Sequence, residues 1–385
     1  MIQDALFDAE PLSTPDNNRF INEGIKYTGS KLKLLKPIFE LANEIKFKTV
    51  LDGFSGTTRV SRMFAAAGCD VFTNDLAPWS AEIARAYLCS DYKNVNHYGD
   101  LISHLNSLPP IEGWFTKNYG NYDKAPSPVR EDGKKAVWQY HNTTKLDAIR
   151  QEIDSLNLSQ VDKSIALTSL IHALDKVDST LGHHAAYLRN WSPRSFNSMK
   201  LEVPCLIPLT GKHEITSLDI FERLDGLDQE IDLMYFDPPY GSNNEKMPPS
   251  RVRYSSYYHL WKTITLNDKP DIFGAANRRE DSRDKLSYSP FEDYRRSESG
   301  RFVAIEAIEK MVKKANCKYL MLSYSSGGRA TFDELKELLN SAGKLLKVVE
   351  IEYKRNVMAK MRSTNKWVDL EPRPNIEYLF LLRKN

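Results

Sequence analysis

At 385 residues the chain is long enough for one large domain with an insertion, or for two domains. Its 41% hydrophobic and 27% charged residues are ordinary for a water-soluble globular protein, and no apolar run approaches the roughly 20 residues of a membrane span. The formal net charge of +2 does not by itself mark a nucleic-acid binder.

The opening MIQDALFDAEPLS is acidic and lacks a basic n-region, so it does not read as a signal peptide and a cytoplasmic location is expected. Cys69, Cys89, Cys205 and Cys317 form no CxxC pair. That spacing argues against a zinc site or a disulfide framework.

FKTVLDGFSG (47–56) predicts a β-branched, apolar strand ending in a small-residue turn. TTRVSRMFAAAG (57–68) has helical periodicity and a glycine stop, and CDVFTND (69–75) predicts a second strand. A strand–turn–helix–strand unit of this kind opens an α/β sheet. Its turn lets a ligand approach the backbone beside a helix N-terminus. Asp75 ends the next strand, where an acid can accept hydrogen bonds from ribose hydroxyls.

The pattern changes near SLPPIEGWFTKNYG, and residues 145–177 read as helical. STLGHHAAYLRNWSPRSFNSMKLEVP is loop-rich, aromatic and basic. Strands return at 213–219, 231–237, 318–326, 345–354 and 375–384, with helices at RFVAIEAIEKMVKKA and TFDELKELLNSAG. The simplest organisation is one split α/β domain, 20–105 with 205–385, and a helical insertion at 106–204. Near the C-terminus EYKRNVMAKMRSTNK is densely basic, a solvated face or a phosphate-facing patch.

DPPYG (237–241) ends the run IDLMYFDPPYG. Two prolines remove two backbone donors, so the carbonyl of Pro238 is not tied into a ladder by Pro239. Asp237 can accept a hydrogen bond from an exocyclic amine, and Tyr240 offers a flat face for stacking. Two acceptors and a ring fit the edge and face of an extruded adenine. Drawing both amine hydrogens to acceptors leaves the nitrogen lone pair available to an electrophilic methyl, with alignment and electrostatics supplying the rate.

With KYTGSK (26–31), LDGFSGTT, TND, FDPPYG, LMLSYSS and an RSTN before the final strand, in that order, the chain resembles the D12 class of N6-adenine DNA methyltransferases. The resemblance implies a Rossmann-like S-adenosylmethionine-dependent methyltransferase sheet with a mainly helical target-recognition insertion. It implies that Tyr27 and Lys31 contact S-adenosylmethionine, that Asp75 holds its ribose and that Asp52 lies near its methionine part. Phe54 and Gly56 belong to the same turn, and Asp219 is expected to reach the cofactor's adenine. Asp237 should stand between cofactor and target amine, with Pro238, Pro239 and Tyr240 completing the catalytic motif and no metal required. Thr58 occupies the place where the family usually has its second glycine.

STLGHHAAYLRNWSPRSFN is similar to the loop that enters DNA in Dam-type members. Arg189 and Arg194 are candidates to read guanine edges or bind phosphates, and Tyr187 or Trp191 to fill the gap of a flipped base. The competing reading packs these aromatics into the insertion's own core. His183 and His184 have no acid or cysteine at ligand spacing, which favours a structural or DNA-contact role. The segment after DPPYG, polar and Pro-containing, is positioned to close over the base as a lid. Double-stranded DNA is the implied partner, with a cognate restriction endonuclease an open one, in a prokaryote or phage. N4-cytosine transfer uses the same geometry but more often places serine at position 237. A non-catalytic DNA-binding relative has no need of an intact DPPY.

Overall fold

The computed structural model describes residues 15–123, 125–186, 188–242, 253–283, 289–353 and 375–385. Seven strands form one sheet: β1 (Thr49–Asp52), β2 (Asp70–Asn74), β3 (His213–Thr216), β4 (Ile231–Phe236), β5 (Cys317–Ser325), β6 (Gly343–Tyr353) and β7 (Asn375–Lys384). Their order is β6-β7-β5-β4-β1-β2-β3. The strands from β5 to β3 pair in parallel, while β7 runs antiparallel to both of its neighbours. This is the expected Rossmann-like α/β sheet. The seven predicted strand segments all form.

The period of two sorts the side chains onto two faces. Val50, Val71, Leu233, Met321, Leu379 and Leu381 belong to one buried cluster. Leu51, Met234, Leu320, Leu322, Phe380 and Leu382 belong to the other. A strand buried on both faces needs a near-continuous apolar run, which YLFLL in β7 supplies. Helices Leu35–Ala42 and Arg59–Ala66 cover the first face through Ile38, Phe39, Met63 and Phe64. Helices Ile220–Asp225, Val303–Lys314 and Phe332–Ala342 cover the second. The last begins at a reciprocal cap: the Glu334 amide donates to Thr331 Oγ1 at 3.3 Å, and the Thr331 amide donates to Glu334 Oε2 at 2.9 Å.

Helices Tyr140–Ser155 and Gln160–Lys176 lie in the region between β2 and β3. The second packs along helix Pro78–Leu88. Ile165, Leu170, Ile171 and Leu174 join the same buried cluster as Val50 and Val71. The helical region therefore shares its core with one face of the sheet.

Residues that follow DPPYG in sequence also pack there. Arg150 is buried and donates to the carbonyls of Ile264 (2.6 Å) and Thr265 (3.3 Å), at the end of helix His259–Leu266. Trp138 and Trp261 meet with ring centroids 6.3 Å apart. Arg150→Ala leaves these two carbonyls without their donor. It should lower unfolding stability by about 2–3 kcal/mol, read by urea denaturation; a change within about 0.5 kcal/mol would show that this clamp is not structural.

Candidate active site

The sheet reverses its strand order between β1 and β4, and ligands bind α/β sheets in the crevice outside the strand ends at such a point. Acids stand at or just past the ends of β1, β2 and β4. Asp52 ends β1 and is 1% exposed. Ser61 Oγ donates to its Oδ2 at 2.6 Å, and its Oδ1 is buried with no hydrogen-bond partner among the described residues. Burial pushes this carboxyl up to about 7, with Asp237 and Asp75 adding to the rise against the pull of Ser61.

Asp75 follows β2. Its oxygens accept the Gly56 amide at 2.7 Å and the Ala77 amide at 2.8 Å, which binds the β1 turn to the β2 end. Burial raises its pKa against these two bonds. Asp219 caps helix Ile220–Asp225, accepting the Phe221 amide at 2.8 Å.

The turn between β1 and helix Arg59–Ala66 has little room for side chains. A Cβ at Gly53 would lie 2.7 Å from the Phe236 ring, and Gly56 sits at φ +48°. Thr58 is buried at φ 62°, in the left-handed region that favours glycine. The departure noted in the sequence thus keeps the backbone shape of a glycine while placing a β-branched side chain in it, at a cost of order 1–3 kcal/mol.

Tyr27, Lys31, Asp52, Phe54, Gly56, Asp75, Asp219 and Asp237 all line one cleft. Pro239 lines it as well. Pro238 is buried beneath it, and no hydrogen bond reaches its carbonyl among the described residues. Tyr240 lies behind Asp237, its ring 4.7 Å from that of Tyr324.

The hydroxyl of Tyr240 belongs to a buried network. It lies within hydrogen-bond reach of both Asp237 Oδ1 and, at 2.6 Å, Glu377 Oε1, so its one proton is shared between two acceptors. Lys31 Nζ reaches Asp237 Oδ1 at 3.0 Å and Glu377 Oε1 at 2.6 Å, and donates to the Tyr240 hydroxyl. Burial alone lowers the Lys31 pKa, and the two carboxylates more than offset it. Burial raises that of Asp237, Lys31 opposes the rise and Glu377 adds to it. The contacts from Lys31 and Tyr240 both fall on Oδ1 of Asp237, and neither uses Oδ2.

Several residues of the site escaped the sequence reading. Tyr254, Tyr258 and Trp79 pack on the Tyr27 ring at centroid distances of 5.4, 4.7 and 5.7 Å and form an aromatic wall of the cleft. The repeated tyrosines of YSSYYHLWKT are the signal for Tyr254 and Tyr258; no comparable signal marks Trp79. Glu292 also lines the cleft, accepts the Tyr254 amide at 2.9 Å and is raised by burial to about 7. Glu377 stood in the last strand as a lone acid among apolar residues.

Of the candidate DNA-contact residues, Arg189, Trp191 and Arg194 do not line this cleft. Arg189 is exposed, while its carbonyl accepts Ser127 Oγ at 2.8 Å. Trp191 is half-buried, its Nε1 donating to the Ala125 carbonyl at 2.9 Å. Arg194 is engaged internally: Nε and one terminal nitrogen donate to Asp178 Oδ1 at 2.9 and 2.7 Å. Asp178 is 1% exposed and also pairs with Lys26 at 3.1 Å. His183 stacks on Tyr257, and His184 packs edge-on against Trp261. Tyr187, residues 243–252 of the segment expected to act as a lid, and residues 354–366 of the basic stretch lie outside the described residues.

A family model described as D12 class N6 adenine-specific DNA methyltransferase matches residues 27–357. The chain belongs to this family. It is an adenine-specific DNA methyltransferase, as the sequence motifs implied. Type II methyltransferase M.NlaIII of Neisseria lactamica is 26% identical over 370 residues, 94% of this chain and 99% of that one. Modification methylase StsI of Streptococcus sanguinis is 26% identical over 89% of this chain, which spans 50% of that longer protein. M.CviAII of Paramecium bursaria Chlorella virus 1 is 25% identical over 84% of this chain and 90% of its own. A solved Thermoplasma acidophilum protein aligns with 92% of this chain at a TM-score of 0.28 and 9% identity, too slight a likeness to bear on the fold. Among the described residues, no helix is long and apolar enough to cross a membrane and no group of three or more metal-ligating side chains occurs.

The two arginines of the enzyme's loop should separate in experiment. Arg194→Ala strips a buried carboxylate of one partner and should cost about 1–3 kcal/mol by denaturant unfolding, whereas Arg189→Ala should stay within about 0.5 kcal/mol. Equal stability of the two variants would contradict the role given to Asp178.

Proposed function

We propose that the cleft binds S-adenosylmethionine across the β1 turn and presents to Asp237 the N6 amine of an adenine flipped out of duplex DNA. The observation that carries this reading is the position of Asp237. It stands at the edge of an acidic cleft, with Oδ2 left out of its contacts with Lys31 and Tyr240.

The residues present suit such a cofactor. Asp52, Asp75, Asp219, Asp237 and Glu292 line the cleft against Lys31, Arg59 and Lys262. Of these cations, Lys31 is bound to Asp237 and Glu377, Arg59 donates to Ser30 Oγ at 2.7 Å, and Lys262 pairs with Asp281 at 2.8 Å. An excess of buried acid favours a positively charged guest, and Asp52 Oδ1 is an acceptor in want of a donor. When bound, S-adenosylmethionine supplies an electrophilic methyl on a cationic sulfonium. Tyr27 and Lys31 would hold it from the N-terminal motif, Asp52, Phe54 and Gly56 from the turn, Asp75 at the ribose and Asp219 toward its adenine.

The protein's own part in transfer is to orient the amine. Asp237 and the Pro238 carbonyl each accept one N6 hydrogen, which turns the nitrogen lone pair toward the methyl. Lys31 keeps Asp237 ionised against burial, so that it can accept rather than donate. The Tyr240 ring stacks on the base, worth roughly 1–3 kcal/mol, which offsets part of the few kcal/mol of extrusion.

The region 106–204, together with the segment from 254 to 283 that packs on it, forms the target-recognition half. The rest, 20–105 and 205–385 apart from that segment, forms the catalytic half. Arg189, Trp191 and Tyr187 approach DNA from the recognition half. Arg194 contributes by fixing the loop. Relatives named as type II methyltransferases and modification methylases support a restriction–modification setting, in which a cognate endonuclease and a cytoplasmic location would be expected.

Asp237→Asn keeps the shape but loses the anionic acceptor. Transfer of labelled methyl to DNA should fall about 100-fold or more, with the far-ultraviolet circular dichroism and melting transition retained. Near-parental transfer by a folded variant would overturn the mechanism.

A further inference from the structure

Glu377 is the third residue of β7, an internal strand between β5 and β6. It is 7% exposed, and Leu379, Phe380, Leu381 and Leu382 follow it into the core. A carboxylate buried there costs several kcal/mol unless it is paired and hydrogen-bonded. Three donors converge on its Oε1: Lys31 Nζ at 2.6 Å, the Tyr240 hydroxyl at 2.6 Å and Ser323 Oγ at 2.7 Å. They arrive from the N-terminal motif, the DPPY turn and β5. The sheet has thus brought a second acid to the two side chains that hold Asp237.

Resting on the reading of Asp237 as the acceptor of the target amine, we propose that Glu377 is a positioning residue for methyl transfer, sharing Lys31 and the Tyr240 hydroxyl with Asp237 so that both stay fixed behind it. Tyr240 has one hydroxyl proton, and it can serve only one of the two carboxylates at a time. With Glu377 present, that proton and part of the Lys31 charge are drawn away from Asp237. Oδ1 stays anchored, and Oδ2 is left to accept the amine. The same pair of acids pins the Tyr240 hydroxyl and sets the plane of its ring for stacking.

The groups facing Asp237 come from every neighbouring element: Lys31 from the N-terminal segment, Asp52 from β1, Tyr235 from β4, Tyr240 from its own turn, Tyr254 from the segment after the turn, and Glu377 from β7. Of these, Glu377 adds negative charge and Lys31 opposes it. Removing the Glu377 charge therefore lowers the pKa of Asp237.

The test uses Glu377→Gln and Glu377→Asp in the full chain, with the pH dependence of kcat/KM measured on DNA and labelled cofactor. Glu377→Gln should shift the acid limb to lower pH and reduce kcat between about tenfold and 100-fold, while cofactor affinity by calorimetry is retained. Glu377→Asp keeps the charge but shortens the reach, so the acid limb should stay in place while kcat falls. A folded Glu377→Gln enzyme with parental kcat and an unmoved acid limb would overturn the proposal, provided Asp237→Asn is inactive. If Asp237→Asn is itself active, the failure lies in the reading of Asp237 and the proposal falls with it.

Discussion

The ammonium of Lys31 lies between two carboxylates that the sheet buries together, Asp237 and Glu377. Without that cation the end of β4 would carry two buried negative charges against one phenol. One of them would take up a proton. With it, the DPPY turn has a charged acceptor at its first position and a fixed aromatic ring at its fourth. The KYTGSK motif, the DPPY turn, β5 and β7 meet at this point, so the packing of the sheet and the readiness of the site are one constraint.

The same charge logic extends across the cleft. Asp52 and Glu292 are each raised by burial to about 7, and Asp75 is raised as well. Such a cluster is poorly satisfied without a guest and well satisfied by one that carries positive charge. On the proposed reading the sulfonium of S-adenosylmethionine would answer that need, and the Asp75 carboxylate, fixed by the Gly56 and Ala77 amides, would offer its remaining lone pairs to a ribose. The cost of folding these acids together is carried by the core on both sheet faces and is offset by ligand binding. A site of this kind trades stability of the free protein for affinity.

Much of this was legible in the sequence because it is local. Each strand announced itself as a short β-branched or apolar run bounded by turn residues. TFDELKELLNSAG carried helical periodicity, and DPPYG followed its strand directly. Thr58 was visible as a departure from glycine, and its φ of 62° shows why the position matters. What could not be read was long-range pairing. Lys31 and Glu377 are 346 residues apart in sequence, and nothing local distinguishes an acid that pairs with a distant lysine from one that faces water. The pairing of Arg194 with Asp178, 16 residues earlier across an irregular loop, was equally hidden. The helix His259–Leu266 follows the catalytic motif in sequence yet packs on the insertion through Arg150, a tertiary choice that periodicity does not encode.

On the proposed reading, the buried acids of the cleft await a cationic cofactor. Calorimetry of S-adenosylmethionine binding at pH about 6.5, in two buffers of different ionisation enthalpy, tests it most directly. Asp52 is partly protonated there, and a cation favours its ionised form. Binding should therefore release up to about one proton, and affinity should weaken as pH falls from about 8 to about 6, with the release diminished in Asp52→Asn. Affinity independent of pH with no proton released would rule out a cation-binding role for Asp52.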